Sequence, residues 1–306
     1  MQVFRTIESI GGFFRKGSAV TIGSFDGVHI GHQAIIGRLA GEASKQGLKS
    51  VLVTFDPHPQ QILSGPNAPA LLTVTDEKLR ILEDCNLDAV VVLNFTHELS
   101  LVKAAEFLEK YLLQGLSCKK LVIGQNHAFG NRREGNVEFL RANSEKYGYQ
   151  LVALDPVMAG GVAIRSMRIR KEISGGDYGE ALSMLGHDLE FSGTVVRGKG
   201  MGKSLGFPTI NVKLPAGKII PPAGVYAAYN LIGSVKRYGM MYVGDDNPEF
   251  AFEVNLFDYQ GDLYGEKVSV YPTQFIRRSI RFDDNRELVR QIEMDEVKIR
   301  SLFKLV

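Results

Sequence analysis

Two stretches of the chain gather residue types suited to handling phosphate. The first is Thr21-Ile22-Gly23-Ser24-Phe25-Asp26-Gly27-Val28-His29-Ile30-Gly31-His32. Glycines at 23, 27 and 31 let a backbone approach phosphate oxygens closely, and the segment falls where a strand hands over to a helix, whose first amides are unpaired and positively polarised. His29 and His32 can direct ring N–H groups at one phosphate from neighbouring backbone turns. The other reading of this stretch is a tight turn with two surface histidines. The second stretch runs from Gly193 to Val212, with glycines 198, 200, 202 and 206 between two expected strands. Its amides can surround phosphates as a nest does. Gly202-Lys203-Ser204 imitates the end of a P-loop, but no helix is expected to follow and the first glycine falls at the wrong spacing. Thr209 and Asn211 alternate along a strand and face the same side, and oxygen ligands two apart suit a hard cation such as Mg²⁺. A plain glycine-rich hairpin is the alternative here.

The elements that must position these residues follow from the apolar period. From residue 18 to about 155, short β-branched runs alternate with amphipathic segments, the pattern of crossover units around a parallel sheet. Strands are expected at Ala19 to Gly23, Ser50 to Phe55, Asp88 to Phe95, Lys120 to Gly124 and Gln150 to Leu154. Helices are expected around Ile35, Ile36 and Leu39, around Leu79 and Leu82, around Phe107, Leu108 and Tyr111, and around Phe139 and Leu140. Right-handed crossovers make this an α/β, doubly wound sheet with its ligand crevice at the strand C-terminal ends. A further helix, Tyr178 to Leu185, has Asp177 as a plausible N-cap. After Gly186 the rhythm becomes short strands with glycine and proline punctuation: Gly193 to Arg197, Thr209 to Val212, Gly224 to Leu231, Arg237 to Val243, Phe250 to Phe257 and Glu266 to Tyr271. That is a small antiparallel barrel or sandwich. Leu288, Ile292, Ile299 and Phe303 then return to helical spacing, with Asp283-Asp284-Asn285 as capping candidates. The expected domains are 1–185 and 186–306.

Composition agrees with two ordinary domains. The chain has 306 residues, 44% hydrophobic and 23% charged, and single cores stop growing near ~250 to 300 residues. These proportions exclude a disordered, collagen-like or disulfide-dense chain. The net charge of +2, from 36 basic and 34 acidic residues, gives no reason to expect nucleic acid as a partner. The richest apolar run, Leu87 to Leu93, is interrupted by Asp88, so no membrane partner is expected. The start Met1-Gln2-Val3-Phe4-Arg5 lacks a secretory pattern, and the two cysteines, Cys85 and Cys118, form no framework, so a cytoplasmic location is expected. Oligomeric state stays open.

The first stretch carries the His-Xaa-Gly-His signature of nucleotidyltransferases, and Gly-Ser-Phe-Asp-Gly-Val-His-Ile-Gly-His closely resembles the form found in bacterial bifunctional riboflavin kinase/FAD synthetases. Thr54-Phe55-Asp56-Pro57-His58-Pro59 resembles that family's flavin-side loop, although alone it reads equally as a rigid turn. Ile123-Gly124-Gln125-Asn126-His127-Ala128-Phe129-Gly130 resembles its fourth-strand loop. In the second half, Leu205-Gly206-Phe207-Pro208-Thr209-Ile210-Asn211 resembles the riboflavin kinase signature, Phe252-Glu253-Val254-Asn255-Leu256 the strand of its general base, Pro222-Ala223-Gly224-Val225-Tyr226 the start of a barrel strand, and Asp262-Leu263-Tyr264-Gly265 a later hairpin. The resemblance covers nearly the whole chain. It implies a parallel-sheet nucleotidyltransferase domain followed by an antiparallel β-barrel riboflavin kinase domain with a terminal helix. Riboflavin would be phosphorylated to FMN, and FMN adenylylated to FAD with release of pyrophosphate, ATP with Mg²⁺ serving both steps. FMN and FAD would thus be product and substrate.

The site residues that the resemblance implies are these. His29 and His32 would contact the α-phosphate region and Asn126 would orient substrate, while Gly23, Phe25, Asp26, Gly27, Gly31, Ser166, Arg168 and Arg170 would bind ATP. Asp56, Pro57, His58, Phe129 and Arg277 would lie on the flavin side. In the kinase half, Gly198, Gly200, Gly202, Lys203, Gly206 and Pro208 would hold phosphates, Thr209 and Asn211 the metal, and Glu253 would be the base; an isolated Glu in a strand otherwise reads as solvent-facing. No nucleophile from the protein is needed for adenylyl transfer, because an FMN phosphate oxygen is already ionised at neutral pH.

Departures from the family pattern carry consequences of their own. Its Ser-Ser-Thr-Xaa-Ile-Arg segment is here Arg165-Ser166-Met167-Arg168-Ile169-Arg170, and methionine cannot donate to phosphate. A chain in which only the kinase works is therefore one alternative. A flavin-responsive regulatory protein, supported by the cluster Arg165 to Lys171, is another; that cluster also reads as a solvated helix face. The residue after Glu253-Val254 is Asn255 where the family usually has His, a Gly-Xaa-Arg-Pro-Thr loop is reduced to Gly244-Asp245-Asp246-Asn247-Pro248, and a flavin-side Arg-Xaa-Glu is Arg277-Arg278-Ser279.

Overall fold

Strand residues in the first half are apolar at consecutive positions, so both faces of the sheet they form must be covered. The computed structural model of the chain, which describes all residues except 11, 199, 245–251 and 306, has this arrangement. Strands β1 (Gln2–Phe4), β2 (Ser18–Ile22), β3 (Lys49–Asp56), β4 (Ala89–Asn94), β5 (Cys118–Gly124) and β6 (Gln150–Leu154) form one parallel sheet in the order β1-β4-β3-β2-β5-β6. Alternation sends Val51, Val53, Phe55, Val91 and Leu93 to one face, against Phe107, Leu108, Leu112 and Leu140. Leu52, Val90 and Val92 turn to the other, against Ile36, Leu39 and Leu82. The covering helices are α1 (Ile30–Gln46), α2 (Pro59–Leu63), α3 (Thr75–Glu83), α4 (His97–Leu101), α5 (Ala104–Phe107), which continues as a π-helical segment over Leu108–Gly115, and α6 (Val137–Tyr147). Strand order runs outward from β2, with β3 and β4 on one side and β5 and β6 on the other. The loops leaving β2 and β5 therefore diverge at a switch point, where ligands of open α/β sheets bind. Strand β1 was not expected, because three residues are too few to show a period.

The short hairpin β7 (Met158–Ala159) and β8 (Val162–Ala163) follows. The two compact units of the chain part between Ser166 and Met167, whereas the sequence reading puts the domain boundary near 186. Helices α7 (Ser166–Gly175) and α8 (Tyr178–Leu185) lie between these positions. They group with the second unit because α8 packs on its last strand and the buried ring of Tyr178 meets Tyr226 edge-on at 6.0 Å. Asp177 caps α8 as expected, accepting from the Glu180 N–H at 3.1 Å.

In the second unit β9 (Phe191–Val196), β10 (Ile210–Lys213), β11 (Gly224–Ile232), β12 (Val235–Val243), β13 (Phe252–Leu256) and β14 (Lys267–Arg278) close an antiparallel barrel in the order β10-β13-β12-β11-β14-β9. Strand β14 continues past Tyr271, where the sequence reading ends it, and runs on through Pro272. The pairing with β11 shifts register beside that proline, and a bulge is where a strand tolerates one. One helical turn, α9 (Met201–Ser204), interrupts the glycine-rich flap between the two strands. Lys199, the loop 245–248 and the first residues of the expected strand 250–257 lie outside the described residues. Helix α10 (Asn285–Leu302), capped by Asp284, lays Ile299 against Val225, Ala227, Met240 and Phe257 of the barrel.

Candidate active sites

His29 is the N-cap of α1: its Nδ1 accepts the His32 backbone N–H at 3.3 Å. That bond leaves the proton of a neutral His29 ring on Nε2, a donor. The two imidazoles stack at 3.6 Å between centroids, and the ring of buried Phe25 meets His32 edge-on at 5.0 Å. Gly31 makes the stack possible, since a β-carbon there would press on the His29 ring at 3.2 Å. Burial, then the neighbouring His29 and Lys78, hold the His32 ring well below the usual histidine range, so it is neutral at physiological pH. Its Nδ1 is buried and has no hydrogen-bond partner among the described residues.

The loop between β2 and α1 is fastened from beneath. The carboxylate of Asp26, itself 1% exposed, accepts the N–H groups of Leu72 and Thr73 at 3.1 and 2.9 Å. Thr73 Oγ1 in turn accepts the Gly27 N–H at 2.9 Å. Asp26 therefore shapes the loop through the 71–74 segment. Gly23 keeps the sheet pairing going one residue beyond β2, donating to the Val53 carbonyl at 3.0 Å. Lys78, on α3, escaped the sequence reading, because Thr75-Asp76-Glu77-Lys78 reads as the exposed start of a helix. It is buried, and its Nζ donates to the Ser24 carbonyl at 2.7 Å and to Thr54 Oγ1 at 3.2 Å.

The other expected residues of this unit stand at the ends of neighbouring strands. Asp56 ends β3 and forms an exposed pair with Arg5 at 3.5 Å. Pro57 leads into α2, whose N-cap His58 accepts the Gln60 N–H at 3.1 Å, while Gln61 accepts the His58 N–H at 3.1 Å. Asn126 is exposed in the turn after β5. Phe129 is buried against Phe107, at 5.6 Å between centroids, and stacks with His127 at 5.9 Å. Burial and Arg133 push His127 down to about 4, and its Nε2 is buried with no partner among the described residues. Ser166 donates its hydroxyl to the Asp26 carbonyl at 3.0 Å, which ties it to the loop beside the histidines. Arg168 and Arg170 belong to the second compact unit, where Arg168 pairs with Glu180 at 3.0 Å and Arg170 directs Nη1 to the sulfur of exposed Met167 at 3.5 Å.

In the barrel the ladder of β10 and β13 sets Asn211 opposite Glu253. Thr209, two residues earlier, donates its hydroxyl to Glu253 Oε2 at 3.4 Å. The register thus brings the three oxygen-bearing side chains together. Glu253 is partly exposed and Asn211 buried. Gly198 lies against the Asn211 amide and Gly202 against Phe207 and Thr209, so the flap packs directly onto these residues. Gly200 and Gly206 have left-handed backbones (φ 72° and 89°), and Lys203 sits on α9 between them. The Pro208 carbonyl accepts from Asn255 Nδ2 at 2.8 Å, which anchors the end of the flap to β13. Arg277, expected on the flavin side, directs its Nε and Nη2 to the carboxylate of buried Asp295 on α10 at 2.9 and 2.7 Å.

Among the described residues no group of three or more His, Cys, Asp or Glu side chains is placed to hold a metal ion, and no helix is long and apolar enough to cross a membrane. Residues 14–168 match the family model for FAD synthetase, and residues 185–303 match that for riboflavin kinase. The bifunctional riboflavin kinase/FMN adenylyltransferase of Escherichia coli (strain K12) is 35% identical over 311 residues, covering 100% of this chain and 99% of that protein. Its namesake in Listeria monocytogenes is 31% identical, covering 93% of this chain and 92% of the relative. A crystal structure described as a macrolide-efflux protein from Streptococcus pneumoniae superimposes with a TM-score of 0.85 at 30% identity, over 97% of this chain and 98% of that one. With both half-chain models matched in order and full-length relatives at this identity, the chain belongs to the bifunctional riboflavin kinase/FMN adenylyltransferase family.

Proposed function

We propose that the barrel phosphorylates riboflavin to FMN and that the parallel-sheet unit adenylylates FMN to FAD, each step consuming ATP. The observation that carries the reading is the presence of two chemically different constellations. Stacked histidines at a helix N-terminus occupy one unit, and a Thr–Asn–Glu cluster under a glycine flap occupies the other.

In the barrel, Glu253 accepts the proton of the terminal ribityl hydroxyl as that oxygen attacks the γ-phosphorus, and ADP leaves. A carboxylate is ionised at neutral pH and needs only reach. Thr209 and Asn211 offer oxygen donors beside it, a donor set that suits Mg²⁺ carried in with ATP. When bound, the ion neutralises phosphate charge. A single carboxylate in the cluster fits an ion shared with substrate phosphates better than a resident one. The flap glycines and Lys203 close over the triphosphate.

In the first unit, an FMN phosphate oxygen attacks the α-phosphorus of ATP, and pyrophosphate leaves. His29 donates from Nε2 to the α-phosphate and His32, neutral beside it, adds no competing positive charge within the stack. The amides at the start of α1 supply the positive end of a helix dipole, and Asn126 orients the substrate from the end of β5. Asp56, Pro57, His58 and Phe129 line the flavin side, and Ser166, tied to the loop beside the histidines, attends the outer phosphates.

Incubation of the purified protein with riboflavin, ATP and Mg²⁺, followed by separation of the flavins, tests the reading. FMN and FAD are both expected. FMN alone would leave only the kinase, the outcome that Met167 argues for, and unchanged riboflavin would remove both assignments. His32→Ala should stop FAD formation while FMN still accumulates.

A further inference from the structure

Lys78 is a buried lysine in a class of residue that is almost never fully buried unless paired with an opposite charge. At 3% exposure it donates to two uncharged acceptors, the Ser24 carbonyl and the Thr54 hydroxyl. Thr54 Oγ1 itself donates to the same Ser24 carbonyl at 3.1 Å, so the three residues close a small hydrogen-bonded ring. The ring joins three elements: the loop leaving β2, the end of β3 and the first turn of α3. Ser24 stands five residues before His29, inside the glycine loop whose stance decides where both histidines point.

We propose that Lys78 is a positioning residue of the adenylyltransferase site, clamping the Ser24 carbonyl to the end of β3 so that the glycine loop presents His29 and His32 to the nucleotide. The inference rests on the assignment of adenylyl transfer to this unit. A role confined to stability would be poorly served by a lysine, since a buried cation costs desolvation that an apolar side chain of the same length does not. The charge serves the carboxylates that face it and, in addition, a polyanion when one arrives. The groups that face Lys78 are Asp26 from the loop after β2, Asp56 from the end of β3 and His32 from α1. Burial draws the ammonium down to about 8 against the pull of the two carboxylates. Without nucleotide it therefore begins to discharge just above neutral pH, and bound phosphates favour the charged form.

The test measures FMN adenylylation and riboflavin phosphorylation on the same preparations of the full chain. Lys78→Met should lower kcat/KM for adenylylation by on the order of 100-fold, the scale of an ångström-level misplacement. Riboflavin phosphorylation should be unchanged and the thermal midpoint no lower than wild type. Lys78→Arg, which cannot discharge, should retain adenylylation at pH 7 and abolish the decline that the wild type shows as pH rises through 8. Wild-type adenylylation by Lys78→Met, or loss of both activities by that variant, would overturn the proposal. So would a Lys78→Arg profile with the wild-type alkaline decline, a result that decides the matter even if Lys78→Met does not fold. A His32→Ala control that adenylylates FMN normally would instead remove the site assignment on which the inference stands.

Discussion

Gly198 lies against the side-chain amide of Asn211, so close that any β-carbon at 198 would overlap it. The backbone of Gly198 is not left-handed, so this glycine is set by contact and not by its dihedral freedom. Gly198→Ala must therefore displace either the flap or Asn211, and Asn211 sits directly across the ladder from Glu253. The expected result is a rise in KM for ATP in riboflavin phosphorylation of about tenfold or more, the penalty of misplacing a positioned group by a fraction of an ångström. Adenylylation of supplied FMN should be unaffected. Steady-state kinetics of the two reactions, measured separately, check this.

Glu253→Gln separates charge from shape. Glutamine still offers Thr209 an acceptor, so the cluster and the flap keep their geometry, while the base is lost. FMN formation should fall by roughly 10² to 10⁴ in kcat, the usual worth of a positioned base, with KM for ATP little changed. FAD formation from supplied FMN should continue at the wild-type rate. An equal fall in both activities would mean that the two sites are not independent.

What was legible beforehand follows from how each feature is encoded. The helix Tyr178–Leu185 and its cap Asp177 are local patterns, and the structure has them at the expected residues. The meeting of Thr209, Asn211 and Glu253 depends on pairing across 44 positions, yet alternation along each strand already put the side chains on defined faces, and only the register remained to be supplied. Lys78 was invisible because an exposed-looking helix start reveals nothing of the loop that covers it. The pairing of Arg277 with Asp295 was hidden for a similar reason: Asp295 lies on a helix whose rotation about its own axis the sequence leaves open. The continuation of β14 beyond Pro272 needed a bulge that only the partner strand β11 reveals.

His127 makes the first unit acid-sensitive. Its ring is held down at about 4, chiefly by burial, whereas an unfolded chain protonates it near its ordinary value of 6.5. Between those two values the unfolded state binds the extra proton, so stability is complete above 6.5 and is lost as pH falls toward 4. His32 shifts in the same direction and adds to the slope. His127→Phe keeps a ring to stack on Phe129 and removes a buried nitrogen that has no partner among the described residues. It should raise stability at pH 7 by about 1 kcal/mol, the low end of the cost of an unsatisfied buried polar atom, and by more at pH 5. Thermal denaturation followed through the loss of adenylylation, at pH 7, 6 and 5, should show a shallower fall for the variant than for the wild type.

The pairing of Arg277 with Asp295 gives the second unit a strut between β14 and α10. Asp295 is 3% exposed and also accepts from Gln291 at 3.0 Å, so its carboxylate has little access to water once the guanidinium is gone. Arg277→Leu leaves that charge buried without its counter-ion and should cost about 3 to 5 kcal/mol, the range for breaking a buried pair from one side. Asp295→Leu should be comparably harmful, through the stranded arginine. The double variant removes both charges together and should recover most of the loss, because a buried pair replaced by packed apolar groups is often neutral. If Arg277 instead owed its place to flavin, Arg277→Leu and the double variant would share a raised KM for riboflavin with little change in melting temperature. Chemical denaturation combined with riboflavin kinetics on the three variants therefore distinguishes a strut from a binding group.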